Sequence, residues 1–496
     1  MSVLIGIDLG TSCVKVEAIN VENRKMALAR NFYDISIPAS GFAEQNPEDW
    51  WNATLDALIK VKSHIGAVNE DIKGIGLSGQ MHGMVLLDKG LNVIRPAIIW
   101  CDQRSKKQVG KIYRKLGKEA FKNITLNPLN TGFLIASLLW IKENEEESYK
   151  KIYKVLLPKD FLRFRLTGEL GTDYSDASAS LAFDVRKGAW SEEILNAIGI
   201  DIDIFPQFKN SFEIAGTLTD SASFATGLAK GTPVAYGGGD QQMQALGNGL
   251  TSPGMASSTI GTGGQIFTPV DSPVYDEQFR LHTFCNALPE SWCLMGASLS
   301  AGLSLKWLSD NIFDGASFKI FDEEAGKIAA GSDGVVFLPY LIGERTPHMD
   351  PNAKAMFFGL TLKHTKANLI RAVMEGVTFS LKESLDIMRQ NGIVINRVIA
   401  SGGGAKSKLW RQIQADIFNT DIYTTNVSEQ ACNGAIITAG VAVSLFRSPK
   451  EAISNLVDFD KPVTHPDPNN ASIYDHYYSV YKELYKKNKQ LFRKLG

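Results

Sequence analysis

The amino-acid sequence predicts an α/β protein made of two related halves. Two segments with the same pattern, Ile5 to Val16 and Ser258 to Phe267, each combine an apolar strand, a Gly-Thr turn and a second strand. Strand-like runs alternate with helix-like runs along the rest of the chain. A chain of 496 residues is too long to fold around a single hydrophobic core. Ordinary domain sizes predict roughly two to four domains for this length. We therefore expect two α/β domains, each carrying one hairpin.

Local signals place the individual elements. The predicted strands are Leu4 to Asp8, Ile72 to Ser78, Gly83 to Asp88, Pro96 to Trp100, Gly334 to Leu341 and Arg397 to Ser401. A helix is expected from Pro47 to Lys62, because Asn46 suits an N-cap and acidic residues follow it. Its apolar stripe is Trp51, Leu55, Leu58 and Ile59. A long amphipathic helix is expected from Asn368 to Asn391.

A turn cluster at Thr251 to Gly254 marks the domain boundary. It separates an N-terminal domain at 1–250 from a C-terminal domain at 255–445, with a helical tail at 446–496. The tail repeats tyrosines at three- and four-residue steps among lysines. Such a stripe suits either a nucleic-acid surface or a helix that docks its aromatic face, and the near-zero net charge favours docking on the C-terminal domain.

Composition excludes several classes of partner. With 52 Lys+Arg against 53 Asp+Glu, the net charge is -1, so no global field favours nucleic acid or an anionic membrane. The five cysteines are widely spaced and contain no CxxC pair, which disfavours disulfides and structural zinc and fits a reducing cytoplasm. The chain runs straight into a strand without a basic leader, and no apolar run approaches a membrane span. We expect a protein that is neither exported nor membrane-embedded.

The two hairpins suit the binding of a polyphosphate. Glycine lets backbone N–H groups approach phosphate oxygens, and threonine adds a hydroxyl donor. The predicted phosphate contacts are Gly10, Thr11, Gly261 and Thr262. Asp8 precedes the first turn and suits a metal that bridges phosphates, although an aspartate there can also simply cap local N–H groups.

Asp240 follows three glycines and precedes a helix-like stretch. An N-cap role explains an aspartate at this position, and it is compatible with catalysis because a helix N-terminus favours the ionised acid. Such an acid can accept the proton of an alcohol that attacks phosphorus.

Two further segments suggest ligand contacts. The glycine run that begins at Gly402 and Gly403 offers a flat backbone surface for a nucleobase or ribose, and Asn433 either lines the same pocket or packs between helices. The loop of Gln80, Met81 and His82, together with Trp100 and Asp102, offers the donors, acceptors and apolar face that a polyhydroxylated ligand needs. A structural role is the alternative for His82, and no second histidine stands at zinc-ligand spacing.

These segments together resemble the FGGY family of carbohydrate kinases over essentially the whole chain. The matching motifs are DLGTS from Asp8, EQNPEDWW from Glu44, GQMHG from Gly79, LLPKDFLRFRLTGE from Leu156, GGGD from Gly237, FLPYLIGERTPH from Phe337, FFGLT from Phe357 and SGGGA from Ser401. The resemblance implies two actin-like, ribonuclease-H-like domains, with ATP and sugar meeting in a cleft between them. It places the sugar and the base in the N-terminal domain and the nucleotide in the C-terminal domain.

The resemblance also implies residue roles and a reaction. Asp240 would be the proton acceptor, Asp8 and Asp240 would lie near Mg²⁺, and Ser12 would join the nucleotide contacts. Met81 and His82 would contact a ketose, with Gln241 beside the base. The GQMHG motif is typical of members that phosphorylate D-xylulose to D-xylulose 5-phosphate in pentose catabolism.

Other readings stay open at this point. A member of the same family acting on another ketose such as ribulose, on a polyol or on a sugar acid would share the mechanism. An actin-like ATP-binding scaffold would share the hairpins but lack a polyol pocket. Gly263 stands where the family pattern has a serine. The expected partners are the sugar, ATP and Mg²⁺, with neither nucleic acid nor membrane, and a homodimer is one option for assembly.

Overall fold

The computed structural model describes residues 1–495 and divides them into two compact units. The first unit contains Met1–Thr251, Thr283–Trp292 and Val427–Asp458. The second contains Ser252–His282, Cys293–Asn426 and the chain from Phe459 onward. Each unit has its own central sheet flanked by helices, as the α/β prediction requires.

The strands β1 to β23 are, in chain order, Val3–Leu9, Cys13–Asn20, Met26–Phe32, Glu44–Gln45, Ile72–Gly79, Val85–Leu87, Ala97–Ile98, Lys154–Leu156, Thr172–Asp173, Phe183–Asp184, Ala189–Trp190, Phe208–Lys209, Ile214–Thr217, Pro233–Ala235, Gly238–Gly239, Gly254–Ile260, Gly264–Val270, His282–Cys285, Trp292–Ser298, Val336–Leu338, Met356–Phe358, Ile395–Gly402 and Asp421–Tyr423.

The helices α1 to α17 are Pro47–Ile65, Lys106–Leu116, Lys118–Thr125, Leu134–Asn144, Glu146–Lys150, Pro158–Thr167, Tyr174–Ala179, Glu192–Ile198, Asp220–Thr226, Asp240–Gly247, Gly302–Ile312, Phe318–Ala325, Lys366–Gln390, Lys408–Phe418, Gln430–Ala442, Pro449–Leu456 and Pro468–Phe492. Short 3₁₀ turns lie at Asn69–Asp71, Ile202–Ile204, Ser332–Gly334 and Gly403–Lys406.

The two central sheets repeat one pairing pattern. In the first unit β1 pairs antiparallel with β2 and parallel with β5, and the sheet order is β13-β14-β5-β1-β2-β3, with β15 also pairing β5. In the second unit β16 pairs antiparallel with β17 and parallel with β22. Both hairpins predicted from the sequence are therefore confirmed, and each occupies the same place in its sheet.

Helix α1 shows how local sequence sets an element. The Asn46 side chain accepts a hydrogen bond from the Glu48 amide at 3.2 Å, and Gly66 ends the helix in the left-handed region at φ 70°. Its apolar face packs on β2 and β3. The predicted stripe was wrong at Ile59, which is 52% exposed, because the face is centred instead on the fully buried Trp50.

Helix α15 explains why Val427–Asp458 groups with the first unit, although the sequence analysis divided this segment between the ranges 255–445 and 446–496. The helix lies directly on the backbones of β1 and β5. A Cβ at Gly6 would stand 2.2 Å from the Cys432 carbonyl oxygen, and one at Gly76 would stand 1.8 Å from that of Ala435. The strand glycines therefore admit the helix, and contact rather than chain order sets its partner.

The tyrosine-rich helix α17 packs within the second unit, against α13, α14 and β20. Four of its tyrosines, Tyr474, Tyr478, Tyr481 and Tyr485, are buried. The Tyr474 hydroxyl donates to Glu375 at 2.9 Å, and the Tyr478 hydroxyl donates to Asp386 at 2.8 Å. The aromatic stripe is thus a packing face. Among residues 1–495, no helix has both the length and the apolarity needed to cross a bilayer.

Candidate active site

Two carboxylates lie at one edge of the first unit's sheet. Strands β1, β5 and β15 are parallel, so their carboxyl ends meet at this edge, where ligands bind in open α/β sheets. Ser78 of β5 pairs with Asp8 on one side and with Gly238 on the other. The Ser78 hydroxyl donates to Asp8 Oδ1 at 2.8 Å. Asp240 follows β15 directly and is the first residue of α10, with Gly239 as the N-cap.

Both acids titrate above the ordinary aspartate range. Burial raises the pKa of Asp8, although Lys15 and the Ser78 hydrogen bond oppose this. Burial and the neighbouring Asp8 carboxylate raise the pKa of Asp240 to about 7. A carboxylate with a pKa near neutrality is a far better proton acceptor than an ordinary aspartate and still ionises at physiological pH. The electrostatics therefore suit Asp240 to general-base chemistry.

Lys15 is a member of this site that the sequence analysis missed. It stands opposite Asp8 in the β1–β2 register, so both side chains project from the same face of the sheet. Its Nζ lies 3.8 Å from Asp8 Oδ2 and 3.0 Å from Glu429 Oε2. Burial lowers the pKa of Lys15, but the two carboxylates outweigh that effect and raise it. The hairpin register was the available signal, since a short Gly-Thr turn pairs these positions.

The donor set fits a magnesium ion held partly by a nucleotide. Mg²⁺ prefers oxygen ligands and commonly takes one or two carboxylates, with phosphates and waters completing the shell. Asp8 and Asp240 supply such carboxylates. Across the described residues no three His, Cys, Asp or Glu side chains cluster as a closed metal site. These residues therefore fit a site that substrate phosphates complete.

The first Gly-Thr turn is braced by side chains of its own unit. The Gly10 amide donates to the Cys13 carbonyl at 3.0 Å, and the Tyr33 hydroxyl donates to the Gly10 carbonyl at 2.6 Å. The Trp100 indole donates to Thr11 Oγ1 at 2.9 Å, so that hydroxyl keeps its own proton for an acceptor. Ser12 is exposed at the tip. The turn therefore presents hydroxyl donors on a backbone that these hydrogen bonds hold in place.

The loop after β5 brings the predicted sugar contacts beside Asp240. Gln80 is buried, its Nε2 donates to Gln45 at 3.0 Å, and its Oε1 has no partner among the described residues. Met81 is buried directly against the β15 backbone, since a Cβ at Gly239 would stand 2.8 Å from its Cγ. The loop therefore contributes one apolar side chain and one unsatisfied acceptor.

His82 is oriented by a backbone carbonyl. Its Nδ1 lies 2.8 Å from the Ala179 oxygen, and its ring packs 4.3 Å from that of Phe133. A carbonyl only accepts, so Nδ1 carries the proton and Nε2 is an acceptor. The residue has a positive φ of 68°, which turns the loop at this point.

Asp102 and Gln241 have different environments. Asp102 is buried, and its oxygens accept from the Ala43 amide at 2.7 Å and from the Arg104 amide and Nε at 2.9 Å each. Its bonds therefore hold the surrounding loop. Gln241 follows the candidate base, and its Oε1 is buried without a partner among the described residues.

The second unit holds a cavity of about 590 Å³ beside its hairpin. Its lining combines the turn glycines, three lysines and an apolar wall: Ile260, Gly261, Thr262, Gly302, Leu303, Leu305, Lys306, Phe318, Lys319, Asp322, Gly403, Gly404, Lys406, Ser407 and Trp410. Gly261, Thr262 and Gly403 are exposed. Gly402 has φ 74°, and a Cβ there would stand 2.6 Å from the Ile260 carbonyl oxygen. Backbone donors, cations and an apolar wall together suit a nucleotide.

Packing explains Gly263. A Cβ at this position would lie 2.8 Å from the Ser298 carbonyl oxygen, so any side chain requires the turn or that strand end to shift. The segment after β19 also hydrogen-bonds to this turn: the Ala301 and Leu303 amides donate to the Thr262 carbonyl at 3.1 and 3.0 Å.

Asn433 lies in the first unit, not among the residues that line this cavity. Its Nδ2 donates to the Gly247 carbonyl at 3.1 Å, where α15 packs on α10. Of the two readings of this residue, helix packing is the one that the contacts display.

Comparison with known proteins identifies the relatives. Sequence models of the FGGY family of carbohydrate kinases match residues 3–247 (N-terminal domain) and 256–443 (C-terminal domain). A xylulose kinase of Staphylococcus xylosus is 36% identical over 98% of this chain and 100% of its own. A solved xylulose kinase structure from Brucella ovis superimposes with a TM-score of 0.91 at 34% identity, covering 99% of this chain and 100% of its own. A gluconate kinase structure from Lactobacillus acidophilus gives a TM-score of 0.94 at 26% identity, covering 100% of both chains.

Proposed function

Because the chain belongs to the FGGY family of carbohydrate kinases, we propose that it transfers the γ-phosphoryl group of ATP to the 5-hydroxyl of D-xylulose. The products are ADP and D-xylulose 5-phosphate. The observation that carries the proposal is Asp240, a carboxylate with a pKa raised to about 7 beside Asp8 and the Gln80–His82 loop. The identity of 36% to a xylulose kinase over nearly the whole chain supports the choice of sugar.

Asp240 acts as the general base. It accepts the proton of the 5-hydroxyl as that oxygen forms a bond to the γ-phosphorus. The bond between the γ-phosphorus and the oxygen that bridges the β- and γ-phosphates breaks, and ADP leaves with that electron pair. The proton stays on Asp240 until solvent removes it. A pKa near 7 lets Asp240 both accept the proton and release it to solvent at neutral pH.

Asp8, Lys15 and Asp240 provide the charges that the phosphates need. Asp8 would hold Mg²⁺, with Asp240 beside it kept for the proton, and the ion would supply charge neutralisation for the phosphates. Lys15 adds a cation beside Asp8. Thr11 and Ser12 of the first unit and Thr262 of the second stay predicted phosphate contacts through their hydroxyls. Gly10 and Gly261 donate their amides to the Cys13 and Gly263 carbonyls at 3.0 Å, so these glycines would leave room for phosphate rather than donate to it.

The adenosine occupies the cavity of the second unit, against Gly402 and Gly403. That cavity is large enough for a nucleoside, and its lysines suit the adjoining phosphates. Asn433 stays a predicted nucleotide contact, although its side-chain amide is engaged with Gly247.

The sugar pocket is rich in acceptors. Gln80 Oε1, His82 Nε2 and Gln241 Oε1 can each accept from a sugar hydroxyl, and Met81 supplies an apolar surface. Trp100 adds a ring beside Thr11, and Asp102 holds the loop that borders the pocket. Acceptors of this kind suit the hydroxyl groups of a polyhydroxylated substrate.

The first test is ADP release with Mg-ATP against D-xylulose, L- and D-ribulose, glycerol, xylitol and gluconate. The expected result is a clear preference for D-xylulose that Asp240→Asn abolishes. Asp220→Asn is the matched control, because its side chain is 80% exposed and pairs with Lys230 on the surface. Preference for another compound would overturn the sugar assignment, and near-normal turnover of Asp240→Asn would overturn the base.

We also propose a reducing cytoplasm as the compartment. Within residues 1–495 none of the five cysteines forms a disulfide, and three of them are buried.

A further inference from the structure

Resting on the proposed function, we propose that Ser175 is a positioning residue for Asp240, and that helix α7 links the base to the sugar-contacting His82. Helix α7, Tyr174–Ala179, lies in the first unit beside β15. Its first turn contacts β15, the strand that ends directly before Asp240, and its last residue contacts His82. A single short helix therefore fixes the positions of Asp240 and His82, which must contact the same substrate.

The first contact holds the backbone just before the base. Ser175 is fully buried, and its Oγ accepts the Gly239 amide hydrogen at 3.0 Å. The Ser175 hydroxyl in turn donates to Asp173 Oδ2, which also accepts the Ser175 amide at 2.8 Å. Because the Ser175 hydroxyl donates its proton to the Asp173 carboxylate, the lone pairs of Ser175 Oγ are left to accept from the Gly239 amide. The chain Asp173, Ser175, Gly239 ends one residue before Asp240.

Asp173 is itself anchored to a buried charge cluster. Lys159 is fully buried, and its Nζ lies 2.7 Å from Asp173, 2.6 Å from Asp160 and 3.1 Å from Asp176. Ion pairs removed from water resist rearrangement, because separating them leaves an uncompensated charge in a low dielectric. The start of helix α7 is thus tied, through Asp173, to a fully buried ion-pair cluster.

The second contact holds the sugar side. The Ala179 carbonyl accepts from His82 Nδ1 at 2.8 Å, which sets the ring orientation and leaves Nε2 as the acceptor. Only three residues separate Ser175 from Ala179. A shift of the helix would therefore move Gly239 and His82 together.

Strand β15, which ends directly before the base, is closely packed. A Cβ at Gly238 would meet Ser175 Oγ at 3.0 Å and Met243 Cε at 2.8 Å, and a Cβ at Gly239 would meet Met81 Cγ at 2.8 Å. The glycines let Ser175 and Met81 approach the backbone from two sides. Removing the Ser175 hydroxyl opens one side and leaves a buried amide without its acceptor.

The test compares Ser175→Ala with Ser178→Ala. The two serines share helix α7, both are fully buried, and each accepts one backbone amide at 3.0 Å, from Gly239 and Cys285 respectively. Their costs in stability should be similar, so both variants are compared by melting temperature. We expect Ser175→Ala to lower kcat about 10- to 100-fold, because misplacement of a catalytic group by ~1 Å can cost about that much. The KM for ATP should stay within about twofold, and Ser178→Ala should keep kcat within about twofold.

A rescue variant and a control for the base complete the design. Ser175→Thr retains the hydroxyl and should recover most of the lost kcat. Equal losses of kcat in Ser175→Ala and Ser178→Ala, or normal kcat in Ser175→Ala while Asp240→Asn is inactive, would overturn the positioning role alone. An active Asp240→Asn would instead overturn the base assignment on which it rests.

Discussion

Acid should slow the reaction at a pH where an ordinary aspartate is still fully ionised. Asp240 accepts a proton in the proposed step, so only its ionised form is active. Its pKa is raised to about 7 by burial and by Asp8, from an ordinary value of 3.8. Protonation therefore removes activity as the pH falls through 7, and the loss is already large at pH 5.5.

The magnitude follows from the ionised fraction. For a pKa of about 7, roughly 91% of the base is ionised at pH 8 and roughly 3% at pH 5.5, a loss of about 30-fold. For an ordinary aspartate the same change in pH would cost less than about 5%. The two cases are easily separated.

The assay is the pH dependence of kcat/KM for the sugar between pH 5 and 9, with ADP quantified directly by chromatography so that no coupling enzyme responds to pH. A thermal melt at each pH excludes unfolding as the cause. An acid limb of unit slope centred near pH 7 is expected. A profile that is flat from pH 5.5 to 8 in a stable enzyme would refute the reasoning, because the base would then be ionised throughout.

Three further predictions concern packing, burial and the nucleotide cavity. Gly76→Ala should destabilise the first unit by about 3 kcal/mol through overpacking, because its Cβ would stand 1.8 Å from the Ala435 carbonyl oxygen; an unchanged melting temperature would contradict this. Glu344 is buried with a pKa raised from 4.5 to about 7, so its protonated form stabilises the folded state and up to about 3 kcal/mol is lost as pH rises through that window. Glu344→Gln should flatten the change in unfolding free energy between pH 5 and 8 by that amount, and an unaltered pH slope in denaturant titrations would rule it out. Gly403→Val should raise the KM for ATP about tenfold with little change in melting temperature, because a Cβ there meets only the Ile260 carbonyl oxygen at 3.8 Å and projects beside the cavity; unchanged ATP kinetics would place the nucleotide elsewhere.

Local sequence determined the hairpins, most of the main strands and the start of helix α1. Period-two apolar runs, Gly-Thr turns and the Asn46 cap act over a few residues, so one segment contains all the information. Asp8 and Asp240 were singled out for the same reason, since each adjoins a turn rich in glycine. The structure brings both to the edge where the parallel strands β1, β5 and β15 end, and their roles stay predictions.

The tertiary structure alone decided which distant groups meet. Ser175 lies 64 positions before Gly239, and Glu429 reaches Lys15 from the far end of the chain, so no local pattern connects them. The assignment of α15 to the first unit depends on the space above Gly6 and Gly76, a property of packed surfaces. The raised pKa of Asp240 likewise comes from burial and from Asp8, and both exist only after the strands have paired. Sequence thus supplied the reactive groups, while packing set their distances and their charge states.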